Sequence, residues 1–246
     1  MRSVVINGET VDGGIQNKTA TIKDYCNFQQ RYSSDCIPDA MCILMVENEL
    51  ERFYLDNDLS LNVFIAGPTC SGKTTLAKRI ELYFKMKGFS VVTIHQDDYY
   101  KDLKQVSRCY YGYYMDGLDA FHVEELENDF RKLIADGGVR VPHYEIKCNK
   151  RIGYRPYITR GKINIVEGLH VVEIFRQTSN GIFFYMNTSL ETCLERRIAR
   201  DTSAIGVSPE RVKEYFSKCI MPMYERDILP QYHLTGIANY YRYLDQ

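Results

Sequence analysis

The stretch 61–75 constrains this chain more than any other. A short apolar run, 61–66, meets Gly67, Pro68, Thr69, Cys70, Ser71, Gly72, Lys73, Thr74 and Thr75. This is the G-x-x-x-x-G-K-[ST] spacing of a phosphate-binding loop. Glycine at both ends permits backbone angles that a Cβ forbids. Successive N–H groups can then point inward around an anion. The pattern predicts a strand before the loop and a helix over 74–87 after it, with the helix's positive end facing the same anion. Lys73 brings a charge for the outer phosphates, and the Thr74 hydroxyl suits Mg²⁺.

Downstream, apolar runs at 90–95, 162–166 and 181–186 alternate with helical patterns at 120–135 and 190–200. Such alternation predicts an α/β fold, a parallel sheet flanked by helices on both faces. Ligands of these sheets gather beyond the carboxyl ends of the strands. Asp97 and Asp98 follow the second strand, where a carboxylate can take a proton from a substrate hydroxyl or bind Mg²⁺. Glu167 ends the third strand, and an acid there can hold Mg²⁺. The tyrosine-rich loop 102–117 is an aromatic wall or a packed excursion. Residues 139–160 break the rhythm and read as a β-hairpin insertion, with 147–152 as its turn.

Arg196, Arg197 and Arg200 crowd the end of the 190–200 helix, where cations suit the helix dipole or clamp phosphates. The segment 201–207 has the small-residue character of a hinge, and 196–209 is expected to form a helical lid. Ser208 and Pro209 restart a helix to about Leu229, kinked at Pro222, and 232–238 is a weak last strand. Ahead of the loop, residues 1–60 form an N-terminal extension to the 61–246 domain. Residues 1–22 are a short hairpin or partly disordered. A helix over 39–55, capped by Asp39, covers one edge of the main domain.

The 246 residues carry a net charge of -1, so no basic field draws the chain to nucleic acid or a membrane. No long apolar run occurs, and the polar start is not a signal peptide. Eight cysteines include no C-x-x-C pair, and one lies within the loop. Reduced thiols in a cytoplasmic protein, without a zinc site, are the expectation. A homo-oligomer is compatible with the sequence, which sets no oligomeric state.

Taken together, Gly67 to Thr74, Gln96-Asp97-Asp98-Tyr99-Tyr100, Asp116 to Phe121, Val141-Pro142-His143-Tyr144, Ile165-Val166-Glu167-Gly168, Arg196-Arg197 and Arg200-Asp201 resemble the uridine kinase and phosphoribulokinase family of P-loop kinases. The resemblance covers roughly 61–238 and implies a P-loop NTPase fold that uses ATP or another NTP with Mg²⁺. It implies Asp97 as base, with Thr74, Asp97 and Glu167 around the metal. Asp116 would grip sugar hydroxyls, Tyr144, Asn149 and Arg151 would face the acceptor, and Arg196 and Arg200 would close over the phosphates. Three departures stand out. Asn149 occupies the place of a base-reading His, Cys193 that of an arginine, and 202–207 lacks basic residues. The implied acceptor is the 5′-hydroxyl of uridine or a related nucleoside. Alternatives are pantothenate, nicotinamide riboside, a sugar phosphate, or a nucleotide-binding regulator that has lost transfer.

Overall fold

The computed structural model describes residues 4–6, 9–11, 37–53, 59–178, 181–232 and 240–244. Two short strands, β1 (Val4–Ile6) and β2 (Glu9–Val11), pair as an antiparallel hairpin. Helix α1 (Ile37–Phe53) begins two residues before the expected cap, so Asp39 lies inside its first turn. The break expected at Asn57 and Asp58 falls outside the described residues.

The phosphate-type loop joins β3 (Leu61–Ala66) to α2 (Lys73–Met86). β4 (Val91–His95) follows, then a β5 (Arg108–Cys109) and β6 (Gly112–Tyr113) hairpin within the tyrosine-rich loop. Helix α3 (Val123–Asp136) leads to a two-tier insertion. β7 (Gly138–Val139) pairs with β10 (Ile158–Thr159), and β8 (Pro142–Glu145) pairs with β9 (Lys150–Tyr154) above it. The turn is therefore shorter than 147–152.

β11 (Ile163–Glu167), α4 (Val171–Phe175), β12 (Gly181–Asn187) and β13 (Tyr240–Leu244) complete the sheet. Its order is β13-β12-β3-β11-β4, and every pairing is parallel. Of the strand expected at 232–238, Tyr232 is helical and the rest falls outside the described residues; a strand is present at Tyr240–Leu244.

The continuous apolar runs have a simple cause. Side chains alternate between faces along a strand, and both faces of this sheet are covered. Val63, Ile65, Ile163, Ile165, Ile182 and Phe184 face α2 and α1, which adds Cys42, Ile43, Val46 and Leu50. Phe64, Val166, Phe183 and Tyr185 face α3 and α4, where Phe64 stacks on Phe183 and Phe175 at 4.9 and 5.0 Å. Helix α1 thus packs into the core on one sheet face. Each large side chain so buried contributes about 2 kcal/mol, which anchors the strand ends that carry the site.

Helix α5 (Leu190–Ile205) is capped by Ser189 and runs five residues past its expected end. The stretch read as a hinge is mostly helix. It stops at Gly206, whose positive φ lets Val207 N–H reach the Asp201 carbonyl. Ser208 and Pro209 then start a helical stretch over 209–232, as expected, and it passes Pro222 without ending. Cys109 and Cys219 are joined as a disulfide between the β5–β6 hairpin and this stretch. That corrects the expectation of reduced thiols throughout. Sequence spacing hid the pair, because 110 residues separate its members.

Candidate active site

β3, β4 and β11 end side by side, and their ends define a crevice. The loop at the tip of β3 is shaped by a close approach. A Cβ on Gly67 would sit 2.7 Å from the Met186 carbonyl of β12, so only glycine fits. Cys70 takes φ of +57°, which costs a non-glycine residue roughly 1 kcal/mol and curls the loop tightly. Thr188 Oγ1 donates to the Ser71 carbonyl at 2.9 Å and ties the loop to the end of β12. The buried Ser71 hydroxyl has no hydrogen-bond partner among the described residues. Lys73 is buried, and its Nζ donates to the Pro68 carbonyl across the curl at 2.7 Å. The first turn of α2 holds no acid and no side-chain cap, so its N–H groups and dipole remain available to an anion. Thr75 is exposed in that turn.

Thr74 Oγ1 donates to Glu167 Oε1 at 3.1 Å. The same oxygen lies 2.7 Å from His95 Nδ1, because Glu167 and His95 are register partners in adjacent strands. Of the two aspartates after β4, Asp98 is buried and locked. Arg155 reaches both its oxygens at 2.6 and 2.8 Å, and Tyr144 N–H donates to it at 3.3 Å. Asp97 is the exposed one, and the charges of Glu167, Lys73 and Asp116 act on it. Desolvation of its carboxyl acts first and repulsion by Glu167 second. These outweigh the attraction of Lys73 and push its pKa up to about 6.

Opposite the loop, Asp116 is buried beside Arg197, with Nη1 3.4 Å from its Oδ2. Arg197 also donates to Thr69 Oγ1 at 2.9 Å and to Asp201 at 3.3 Å, and lies over the Tyr215 ring. Burial alone would favour losing the charge, but Asp116 and Asp201 outweigh it and hold the guanidinium ionised. One side chain therefore joins the loop, Asp116 and α5. The two arginines expected over the phosphates lie nearby. Arg196 is exposed, with Nη1 4.0 Å from where a Gly72 Cβ would stand, and Arg200 bonds Asp201 at 2.8 Å. Helical spacing could have singled out Arg197, since Cys193, Arg197 and Asp201 recur every fourth residue and form the buried stripe.

His170, buried under Asp116, bonds its backbone carbonyl through Nε2 at 2.9 Å. Burial drives its pKa down to about 4, so it stays neutral. Tyr100 stacks on Phe121 at 4.2 Å and tilts against Tyr144 at 5.3 Å. The Tyr144 hydroxyl is buried and unpaired among the described residues. A cavity of about 330 Å³ continues past Tyr100, lined by Asp102, His122 and Arg151, among others. Arg151 grips Glu125 through both terminal nitrogens, at 3.0 and 2.6 Å. Asn149 is not among the cavity's lining residues. It sits in the β8–β9 turn at φ +48°, a backbone role asparagine fills readily. A larger cavity, about 680 Å³, opens near Leu59, Phe130 and Phe175, at the start of β3 and so at the opposite end of that strand from the loop.

Comparison with known proteins accords with this geometry. Residues 63–239 match the model of the Phosphoribulokinase / Uridine kinase family. A uridine kinase of Halalkalibacterium halodurans is 31% identical over 170 residues, 68% of this chain and 79% of that one. A uridine kinase of Tolumonas auensis is 31% identical over 180 residues, 70% and 83% of the two chains. Uridine kinase-like protein 5 of Arabidopsis thaliana is 30% identical over 175 residues, 70% of this chain, but the match spans 37% of the plant protein. Among solved structures, a kinase named for a fructose transport system in Silicibacter sp. TM1040 superposes with a TM-score of 0.63 at 14% identity, covering 79% of this chain and 94% of that one. D-glycerate 3-kinase of Cryptococcus neoformans var. grubii gives 0.56 at 15%, covering 76% and 87%. The sheet order, the loop and the family match agree: this chain belongs to the phosphoribulokinase / uridine kinase family and is a P-loop phosphotransferase.

Proposed function

We propose that this chain transfers the γ-phosphoryl group of ATP to a hydroxyl of a small molecule, the 5′-hydroxyl of uridine or a related nucleoside. The observation that carries the reading is the convergence of Lys73, Thr74, Asp97 and Glu167 on one crevice, with Asp116 facing them from the acceptor side. The nucleoside acceptor is taken from the relatives' names.

Lys73 and the loop N–H groups bind the donor's phosphates, and the buried Ser71 hydroxyl gains there the acceptor it lacks. Thr74, Glu167 and Asp97 are the residues that would hold Mg²⁺, and the donor set fits. All three offer hard oxygen atoms, and Thr74 Oγ1 already lies 3.1 Å from the Glu167 carboxylate, so the two side chains meet at one point. When bound, Mg²⁺ supplies charge neutralisation on the phosphate oxygens. Asp97 orients the acceptor hydroxyl and takes its proton as the bond to phosphorus forms, a role its raised pKa suits. Asp116 holds sugar hydroxyls, fixed in place by Arg197 and His170. Tyr100 and Tyr144 give the ring an aromatic wall, and Arg151 stands on its rim. Excluding water and aligning the hydroxyl do most of the work, since phosphoryl transfer asks little covalent chemistry of the protein.

The test is ADP formation from Mg·ATP across a panel of nucleosides, pantothenate, nicotinamide riboside and sugar phosphates. Turnover led by pyrimidine nucleosides is expected. Tight ATP binding with no turnover on any acceptor would instead mark a regulator.

A further inference from the structure

The loop, Asp97 and Asp116 account for donor and acceptor, but His95 is left over. It is the last residue of β4, directly before the acidic segment, and β4 pairs in parallel with β11 so that His95 stands opposite Glu167. Glu167 is buried, with its side chain only 5% accessible, and its Oε1 accepts two hydrogen bonds. One comes from Thr74 Oγ1 at 3.1 Å and the other from His95 Nδ1 at 2.7 Å. Oε2 has no protein partner among the described residues. Two donors on one oxygen fix both carboxylate torsions and aim the second oxygen. A carboxylate held by the threonine alone could swing about that single bond.

We propose that His95 is a positioning residue that holds the Glu167 carboxylate in its cation-binding orientation, by donating Nδ1–H to Oε1. The inference rests on the metal-holding role given to Glu167 above, and it concerns this chain's own pairing rather than the loop motif. His95 touches neither donor nor acceptor. Its contribution is to remove the freedom of a ligand, and partners of metal ligands typically carry roughly tenfold or more in metal affinity.

The test measures Mn²⁺ binding to the ADP complex by electron paramagnetic resonance, with thermal unfolding as a check on folding. His95→Ala should weaken Mn²⁺ binding roughly tenfold and lower kcat, with the acceptor KM unchanged. His95→Asn, whose side-chain N–H can occupy the Nδ1 position, should restore binding to within about threefold. Adding His95→Ala to Glu167→Gln should weaken binding no further, because the two changes remove one arrangement. Unchanged Mn²⁺ binding in His95→Ala, or full additivity with Glu167→Gln, would overturn the proposal. So would rescue by His95→Gln but not by His95→Asn, since the glutamine amide reaches the Nε2 position and would mark His95 as a direct ligand. If the unaltered protein and ADP bind no Mn²⁺, the metal-dependent kinase reading itself fails, a result distinct from loss of the His95 role alone.

Discussion

On one side of the crevice, Lys73 and Thr74 open α2 at the end of the loop from β3, Asp97 stands just past β4, and Glu167 ends β11. On the other, Asp116, Tyr144 and Arg151 come from a loop and from a two-stranded hairpin outside that sheet. The first set is positioned by backbone ladders buried on both faces. The second is held by side-chain ties: Arg197 on Asp116, Arg155 on Asp98 beneath Tyr144, Arg151 on Glu125, and the Cys109–Cys219 disulfide behind the β5–β6 hairpin. A ladder tolerates little change, whereas a tie can be exchanged one residue at a time. The phosphate side should therefore decide whether transfer occurs, and the acceptor side which molecule receives the group.

That division can be broken by experiment. The largest effect is expected from Asp97→Asn, which should cut turnover by up to about 10⁴-fold, or ~5 kcal/mol of barrier, with ATP affinity little changed. A loss confined to the acceptor KM would move Asp97 to the other side of the comparison. Next, Arg197→Met should destabilise the fold by roughly 4 kcal/mol in urea, because Asp116 would be left buried without its cation and Asp201 with Arg200 alone. Arg197 touches both sides, so its loss should impair donor and acceptor binding together.

A smaller effect should follow pH. His170 has its pKa lowered from 6.5 to about 4 in the fold, so the unfolded chain binds the proton first as pH falls. Stability is then complete above about pH 6.5 and is lost progressively toward pH 4, by about 3 kcal/mol in total. His170→Gln should remove that part of the slope in urea titrations at several pH values, and an unchanged slope would show that His170 does not support Asp116 in neutral form. The smallest effect is expected at Arg151. Its pair with Glu125 is partly exposed, so Arg151→Ala should cost under about 1 kcal/mol of stability while raising the acceptor KM. A change in ATP affinity instead would blur the two sides.

Much of this was legible in the residues. The loop, the strands at 61–66 and 181–186, and Ser208-Pro209 as a helix start lie where local pattern puts them, because each depends on neighbours within one turn or one strand. The errors share the opposite property. Helix α5 outran its expected end because local propensity does not see the packing that Cys193, Arg197 and Asp201 gain inside. Asn149 shows the same limit: its place in a motif says nothing of the left-handed backbone it takes in the hairpin turn.

By itself, the sequence determined the chemistry available: a phosphate loop, acids at strand ends, and an alternation that permits little other than a doubly covered parallel sheet. Only the tertiary structure decided which of two adjacent aspartates is exposed, which of two adjacent arginines is buried, and that residues 109 and 219 meet. Adjacent residues look alike in one dimension, and their difference is created by whichever distant element packs against each.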